Sequence, residues 1–398
     1  MHRSGSETAQ RETPAVDISA GLPAEGLWRQ NIVLADMNHD GFLDIVAPPQ
    51  RKGKNEARRP SVFLWDRESK RWNEAPFIYP SLPDYDYGEI AVGDLNGDNL
   101  PDLVLAVHTG RLIVLYNTRE GKFLESPFAV GKPFHSRTVK LADINNDGWL
   151  DIVSISEGPF SPSYKPEGIL LGINGKGQGW DVRFIEESAG MYSDSFALGD
   201  LNRDGNVDIV SAPLGDKLRK KYAWFGDGRG GFSNDKEVDF DANTDTVKVI
   251  AGDIDGDGFS EVAMVTIATS QTKDIIAVHR GVKVLKWQNG KFEDISRGLD
   301  SMIKAYTLSF ADIHGDRKQE LSVLTAEGIE IYKYSGVEWI RTLFAPVGTY
   351  QETSGAYGIQ AGKNSDGSAF VAFNLGDENL TLKRGIKAYT IPHGALPD

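Results

Sequence analysis

The sequence contains no cysteine, which excludes disulfides, thiolate metal sites and cysteine nucleophiles together. No stretch approaches about 18 consecutive apolar residues, so nothing reads as a membrane-spanning helix. Positive charge is in short supply: 43 Lys and Arg face 57 Asp and Glu, a net charge of −14 that argues against general binding to nucleic acid or anionic membranes. The first twelve residues, MHRSGSETAQRE, lack the apolar centre of a signal peptide and read as a disordered or tag-like tail. No P-loop, nucleophile elbow or Ser–His–Asp spacing is visible. Catalysis therefore has no local motif behind it, although a site assembled from scattered residues would leave none.

What the chain does have is repetition. Apolar residues make up 40% of it, enough for a large core, and 43 Gly with many Asn and Asp imply numerous tight turns. One segment type recurs, an apolar strand, an acidic loop and a second apolar strand. It reads IVLADMNHDGFLDIVA from Ile32, IAVGDLNGDNLPDLVLA from Ile90, VKLADINNDGWLDIVS from Val139, FALGDLNRDGNVDIVS from Phe196 and VIAGDIDGDGFSEVAMV from Val249. Two weaker copies follow, LSFADIHGDRKQELSVL from Leu308 and GIQAGKNSDGSAFVAF from Gly358. The loops start at Asp36, Asp94, Asp143, Asp200, Asp253, Asp312 and Gly362, about 50–60 residues apart.

A third strand follows in every period (SVFLWDR, RLIVLYNT, EGILLGIN and so on), then a Gly-rich turn, an aromatic and a fourth strand. Four short strands per period is the composition of a propeller blade, so residues 13–398 are expected to form one all-β, seven-bladed β-propeller. The seventh period runs out before its fourth strand. Meanwhile VDISAGLP (Val16 to Pro23) resembles EDISRGLD (Glu293 to Asp300), the fourth strand of blade five. The N-terminal strand should therefore complete blade seven and close the ring, leaving no open sheet edge.

Numbered from its first Asp, each of the five strong loops offers acids or amides at positions 1, 3, 5 and 9. These are Asp36, Asn38, Asp40 and Asp44; Asp94, Asn96, Asp98 and Asp102; Asp143, Asn145, Asp147 and Asp151; Asp200, Asn202, Asp204 and Asp208; Asp253, Asp255, Asp257 and Glu261. Position 6 is Gly or Asn, as a positive φ requires. Alternate oxygens can wrap one cation, and a set of hard oxygen donors suits Ca²⁺. An EF-hand would need Glu at position 12 and flanking helices, but Ala47, Leu105, Ser154, Ser211 and Met264 stand there between strands. Asp, Asn and Gly also make ordinary turns. A turn, however, has no need of a further acid at a fixed ninth position. Loop six (Asp312, Asp316, Glu320) carries His314 at position 3 and Arg317 at position 6, so it reads as weak or empty. Loop seven, with Gly362 and Phe370 at positions 1 and 9, reads as a metal-free relic. Five structural Ca²⁺ would bring the net charge of −14 to about −4.

These loops resemble the FG-GAP/VCBS repeat family of calcium-loop propellers, seen in the integrin α-subunit head and in many secreted proteins. The resemblance implies calcium at positions 1, 3, 5 and 9 of loops one to five. It leaves function open, because the family includes adhesion receptors, lectins and accessory domains of polysaccharide enzymes.

In a four-stranded blade the acidic loops share a face with the 3–4 turns, and the longer 2–3 and 4–1 connections lie opposite, where binding more often resides. Two of these are basic: Arg51, Lys52, Lys54, Arg58 and Arg59 in blade one, and Lys217, Arg219, Lys220 and Lys221 in blade four. Either they meet an anionic partner or they are solvated loops. Trp28, Tyr85, Tyr87, His135, Arg137, Tyr192 and Tyr350 fall near the ends of 4–1 connections and should rim the channel, either as a ligand surface or as inter-blade packing. The expectation is an exported, extracellular, periplasmic or cell-surface module, monomeric and calcium-stabilised. It would bind a glycan or a protein, with a polysaccharide lyase or hydrolase as the alternative.

Overall fold

The computed structural model describes all residues except 1–14, 29, 52–58, 81–84, 109, 159–162, 212–220, 239–244, 272–275, 300–302, 347–353, 378–384 and 393–398. The expected N-terminal tail lies outside the described residues. Seven antiparallel sheets succeed one another along the chain, each pairing its strands in sequence order. Blade two is representative, with strands Ile90–Gly93, Asp102–Ala106, Leu112–Asn117 and Phe123–Glu125. Its second strand is buried at every position, as is Asp151–Ser156 in blade three. That accounts for the unbroken apolar runs after each acidic loop: a strand covered on both faces by neighbouring blades needs no polar alternation.

Hydrophobic contact defines seven clusters, one at each junction between blades. Ala91, Val104 and Val114 of blade two meet Val139, Ile152 and Leu170 of blade three. Around the ring, Phe370, Ala372 and Ala388 of blade seven meet Ile45, Phe63 and Trp72 of blade one. Closure also uses the backbone, as expected. The strand Ile386–Ile391 receives the N-terminal segment through Ile18 N–H to the Ala388 carbonyl and Thr390 N–H to the Val16 carbonyl, both at 2.9 Å, with Asp17 bridged antiparallel to Tyr389. The chain is a seven-bladed β-propeller whose last blade borrows its outer strand from the N-terminus.

The resemblance between VDISAGLP and EDISRGLD proves structural in detail. In each copy a Trp from the fourth strand of the following blade donates its indole N–H to the Ile carbonyl, Trp72 to Ile18 at 2.9 Å and Trp339 to Ile295 at 3.0 Å. The following Gly packs on that Trp's backbone at φ 92°, for both Gly21 and Gly298. A Cβ there would lie 1.9 Å from the Trp72 carbonyl or 2.2 Å from that of Trp339, so only Gly fits.

The ring is tied across its central channel. Glu89 of blade two, 1% exposed, meets Lys140 of blade three at 3.0 Å and Lys248 of blade five at 3.5 Å. Burial works against the charge of Glu89, but the two ammonium groups outweigh it and hold the carboxyl below its ordinary range.

Candidate functional site

The acidic loops build from the backbone outwards. Both position 4 and position 6 adopt left-handed φ: His39 at 59° and Gly41 at 86° in loop one, Arg203 at 69° and Gly205 at 82° in loop four. The requirement at position 6 was legible in the sequence. That at position 4 was not, because His39, Asn146 and Arg203 occupy it as well as Gly. The two reversals fold the loop back so that its amides point at the position 1 carboxylate. Asp36 accepts from Asp40 N–H at 3.0 Å and Gly41 N–H at 2.8 Å, and Asp200 from Arg203 N–H at 2.9 Å and Gly205 N–H at 2.9 Å. Asp40 in turn accepts from Phe42 N–H at 2.8 Å.

Position 9 does something the sequence did not reveal. Its carboxylate is buried and clamps the loop to the third strand. Asp44 accepts from Met37 N–H and Trp65 N–H, both at 3.0 Å. Asp102 accepts from Leu95 and Asn117 at 2.9 and 2.8 Å, Asp151 from Ile144 and Asn174 at 3.0 and 2.7 Å, and Asp208 from Leu201 and Gly226, both at 2.9 Å. Burial pushes Asp44, Asp102 and Asp208 up to about 7 and Asp151 up to about 6; the amides pull back, and the loop's other carboxylates add to the rise. A positive charge nearby would bring such a group back towards its ordinary range and keep it fully ionised at neutral pH. In loops one to four, the Asp and Asn oxygens and the unmet need for a cation fit a hard divalent ion.

Loop five differs. Among the described residues, the only three metal-ligating side chains whose ligand atoms all lie within 4.8 Å of one another are Asp253, Asp255 and Glu261. Positive charge is already present there: Lys286 Nζ lies 2.5 Å from Asp255, 2.7 Å from Glu261 and 3.0 Å from Asp257. Burial opposes the lysine's charge, but these carboxylates outweigh it and hold Lys286 above the usual lysine value. Burial likewise opposes the charge of Asp257, yet contact with Lys286 and the Phe259 amide brings its carboxyl below the ordinary range. In loop six, His314 lies 2.7 Å from the buried Glu320 and Lys333 lies 3.3 Å from Asp316. Phe370 of loop seven is a core residue, while Asn364 accepts a 2.9 Å hydrogen bond from Leu43 N–H of loop one. Adjacent loops are also joined by backbone, Ser260 N–H to the Asp200 carbonyl at 2.8 Å and Gln319 N–H to the Asp253 carbonyl at 2.9 Å.

At the opposite ends of these strands, blades two to four bring a second set of polar groups together. Glu157, fully buried, follows strand Asp151–Ser156. It receives His108 Nδ1 at 2.6 Å and Arg137 Nε at 3.1 Å, and Arg137 continues to Asp194 at 3.4 Å. Rings frame the cluster. Tyr87 lies on His108 with centroids 4.6 Å apart, Tyr164 meets His135 edge-on at 5.2 Å, and the Tyr192 ring packs beside Gly158. His135, Arg137 and Tyr192 are half-buried, and Tyr87 sits at the buried edge. Trp28 and Tyr85, grouped with them in sequence, lie in the inter-blade clusters at 1% and 0% exposure, their surface taken up by packing. Tyr350, Lys52, Lys54, Arg58, Lys217, Arg219 and Lys220 lie outside the described residues. Arg51, exposed, and Arg59, half-buried, lie over the Tyr87 and Tyr85 rings at 5.1 and 4.8 Å. Glu157 and His108 had no local signature, since contact between them requires blades two and three to be side by side.

Comparison with known proteins agrees with this architecture. The FG-GAP-like repeat model matches residues 94–154 and 200–264, so the chain carries FG-GAP-like repeats. No curated protein matches the chain. Among solved structures, it is similar to an Agrocybe aegerita lectin described as recognising non-reducing terminal N-acetylglucosamine, at 16% identity, TM-score 0.51 and 94% coverage of each chain. It is also similar to the Dos1 propeller, at 11% identity and TM-score 0.51, covering 91% of this chain and 82% of that one. At such identity the likeness concerns the fold.

Proposed function

We propose that the protein is an exported binding module, a propeller stabilised by calcium in its acidic loops, that recognises a glycan at the mouth formed by blades two to four. The observation that carries the reading is the group around Glu157. Donors (Arg137, His108) and acceptors (Glu157, Asp194) are held in fixed positions among tyrosine rings, on the face away from the acidic loops. Sugars offer vicinal hydroxyls that both donate and accept, and C–H faces that pack on rings, so this mixture suits them. The tie of Glu89 to Lys140 and Lys248 lies deeper in the channel, and we take the ligand to rest on the mouth. Calcium would be held by positions 1, 3, 5 and 9 of loops one to four, where its charge would keep the buried position 9 carboxylates ionised and pin each loop to its third strand. Loops lacking a long bidentate Glu suit millimolar calcium, which favours a site of action outside the cell.

A glycan array probed with the wild type, Arg137→Ala and Tyr192→Ala tests this. Binding to a defined glycan by the wild type, weakened at least tenfold in both variants while both remain folded at the assay temperature, is the expected result. Absence of glycan binding by the folded, calcium-loaded wild type would sink the reading. Turnover of a bound glycan would instead make the mouth an active site.

A further inference from the structure

Lys286 occupies a defined place in the blade. The residue after position 9 pairs with Phe63, Leu115, Gly172, Trp224, Leu285 and Tyr332 in blades one to six. The next residue along the third strand is Leu64, Tyr116, Ile173 or Phe225 in blades one to four, but Lys286 in blade five and Lys333 in blade six. Blades with an apolar residue there carry Asn at loop position 3 (Asn38, Asn96, Asn145, Asn202). Blade five pairs its lysine with an additional acid, Asp255, and blade six pairs its lysine with His314. In blade five the strand lysine thus coincides with an added loop acid, without any change in the fold of the loop: Gly256 and Gly258 keep φ 78° and 87°.

We infer that Lys286 is a built-in cation, its ammonium standing where the divalent ion stands in loops one to four, so that loop five folds without metal and the chain holds one ion fewer than it has strong acidic loops. The inference rests on the calcium reading of loops one to four. Its chemistry is specific. Lys286 is 8% exposed and its three acidic contacts lie between 2.5 and 3.0 Å, so an ion reaching Asp255, Asp257 and Glu261 must displace the ammonium. A divalent ion and an ammonium at contact distance within one shell would repel, and the carboxylates cannot serve both at full strength. Loop six is a weaker version of the same arrangement, with Lys333 3.3 Å from Asp316 and His314 beside Glu320.

Counting calcium by equilibrium dialysis and elemental analysis, on the full chain at millimolar calcium, tests the substitution of lysine for metal. The wild type should hold about four ions. Asp257→Asn should leave the count unchanged, whereas Asp204→Asn, its counterpart in loop four, should lower it by one. Lys286→Met should gain one ion and should melt several degrees lower in EGTA, recovering when calcium is added; Lys286→Arg should gain none. A wild-type count of five, or loss of an ion in Asp257→Asn, overturns the inference while leaving calcium in the loops. So does a folded Lys286→Met that binds no more than the wild type. A count of zero in every chain overturns the calcium reading itself, and the inference with it.

Discussion

Blades one to four and blade five build the same loop on the same backbone and meet the same electrostatic problem in different ways. In each, a buried position 9 acid anchors the loop and carries charge into a poorly solvated place. Blades one to four leave that charge unbalanced within the protein, and Asp44, Asp102 and Asp208 are pushed up to about 7 by burial. Blade five sets Lys286 2.7 Å from Glu261, which offsets part of the burial but leaves that carboxyl raised to about 7 as well. A repeat fold can therefore change the charge set beside its loop without altering the loop's course, because the left-handed residues at positions 4 and 6 set that course independently of charge.

The comparison can be broken most forcefully at position 9. Asp44→Ala removes an acceptor from two buried amides, Met37 and Trp65, besides any metal contact. It should cost about 3–5 kcal/mol in urea unfolding with calcium present. A cost under about 1 kcal/mol would mean that the clamp is dispensable.

Next comes pH. An acid whose folded pKa is raised takes up more protons in the native state than in the unfolded state between the two values, so stability falls as pH rises through that window. In EGTA, the melting temperature should decline from about pH 4 to about pH 7, following Asp44, Asp102, Asp151, Asp208 and Glu261. Stabilisation by added calcium should grow over the same interval. A melting temperature in EGTA that rises across this window would contradict the account.

Smaller effects sharpen the contrast between strong and relic loops. Asp200 accepts three loop amides, while Asp366 of loop seven accepts one, from Ser368 at 2.9 Å, besides the Ser368 hydroxyl at 2.6 Å and an exposed ion pair with Arg67 at 3.8 Å. Asp200→Ala should cost about 1–2 kcal/mol more than Asp366→Ala by chemical denaturation. Equal costs would show that loop seven is no relic. Smallest of all should be Arg203→Ala, which breaks an exposed ion pair between Arg203 of loop four and Asp257 of loop five. That change should stay within about 0.5 kcal/mol, and a larger loss would give the pair a structural part in joining the loops.

Much of this was legible in the chain. The blade period, the acidic loops and the borrowed N-terminal strand all show locally, because each rests on a repeated string such as DxNxDGxxD or DISxGL. What stayed hidden depends on register between distant strands. Lys286 in GVKVLKWQ reads as an ordinary strand lysine until the pairing of Val262 with Leu285 sets it beside the loop. Glu89, Lys140 and Lys248 come from three blades and meet only when the ring closes. Counting back from each loop reached His135 and Tyr192, half-buried beside Tyr164 and Gly158, but the same count reached Trp28, whose ring turns into the junction of blades seven and one. Connection length and strand alternation decide that direction, and neither is encoded in spacing alone.

The central claim, that a divalent ion completes loops one to four, is tested most directly by calorimetric melting of the whole chain at pH 7.5 in EGTA and at rising calcium. The account requires the melting temperature to climb with calcium concentration, as RT ln(1 + [L]/Kd) demands of a ligand that binds only the folded state, and requires magnesium at equal concentration to do less. An identical melting temperature in EGTA and in millimolar calcium would contradict it.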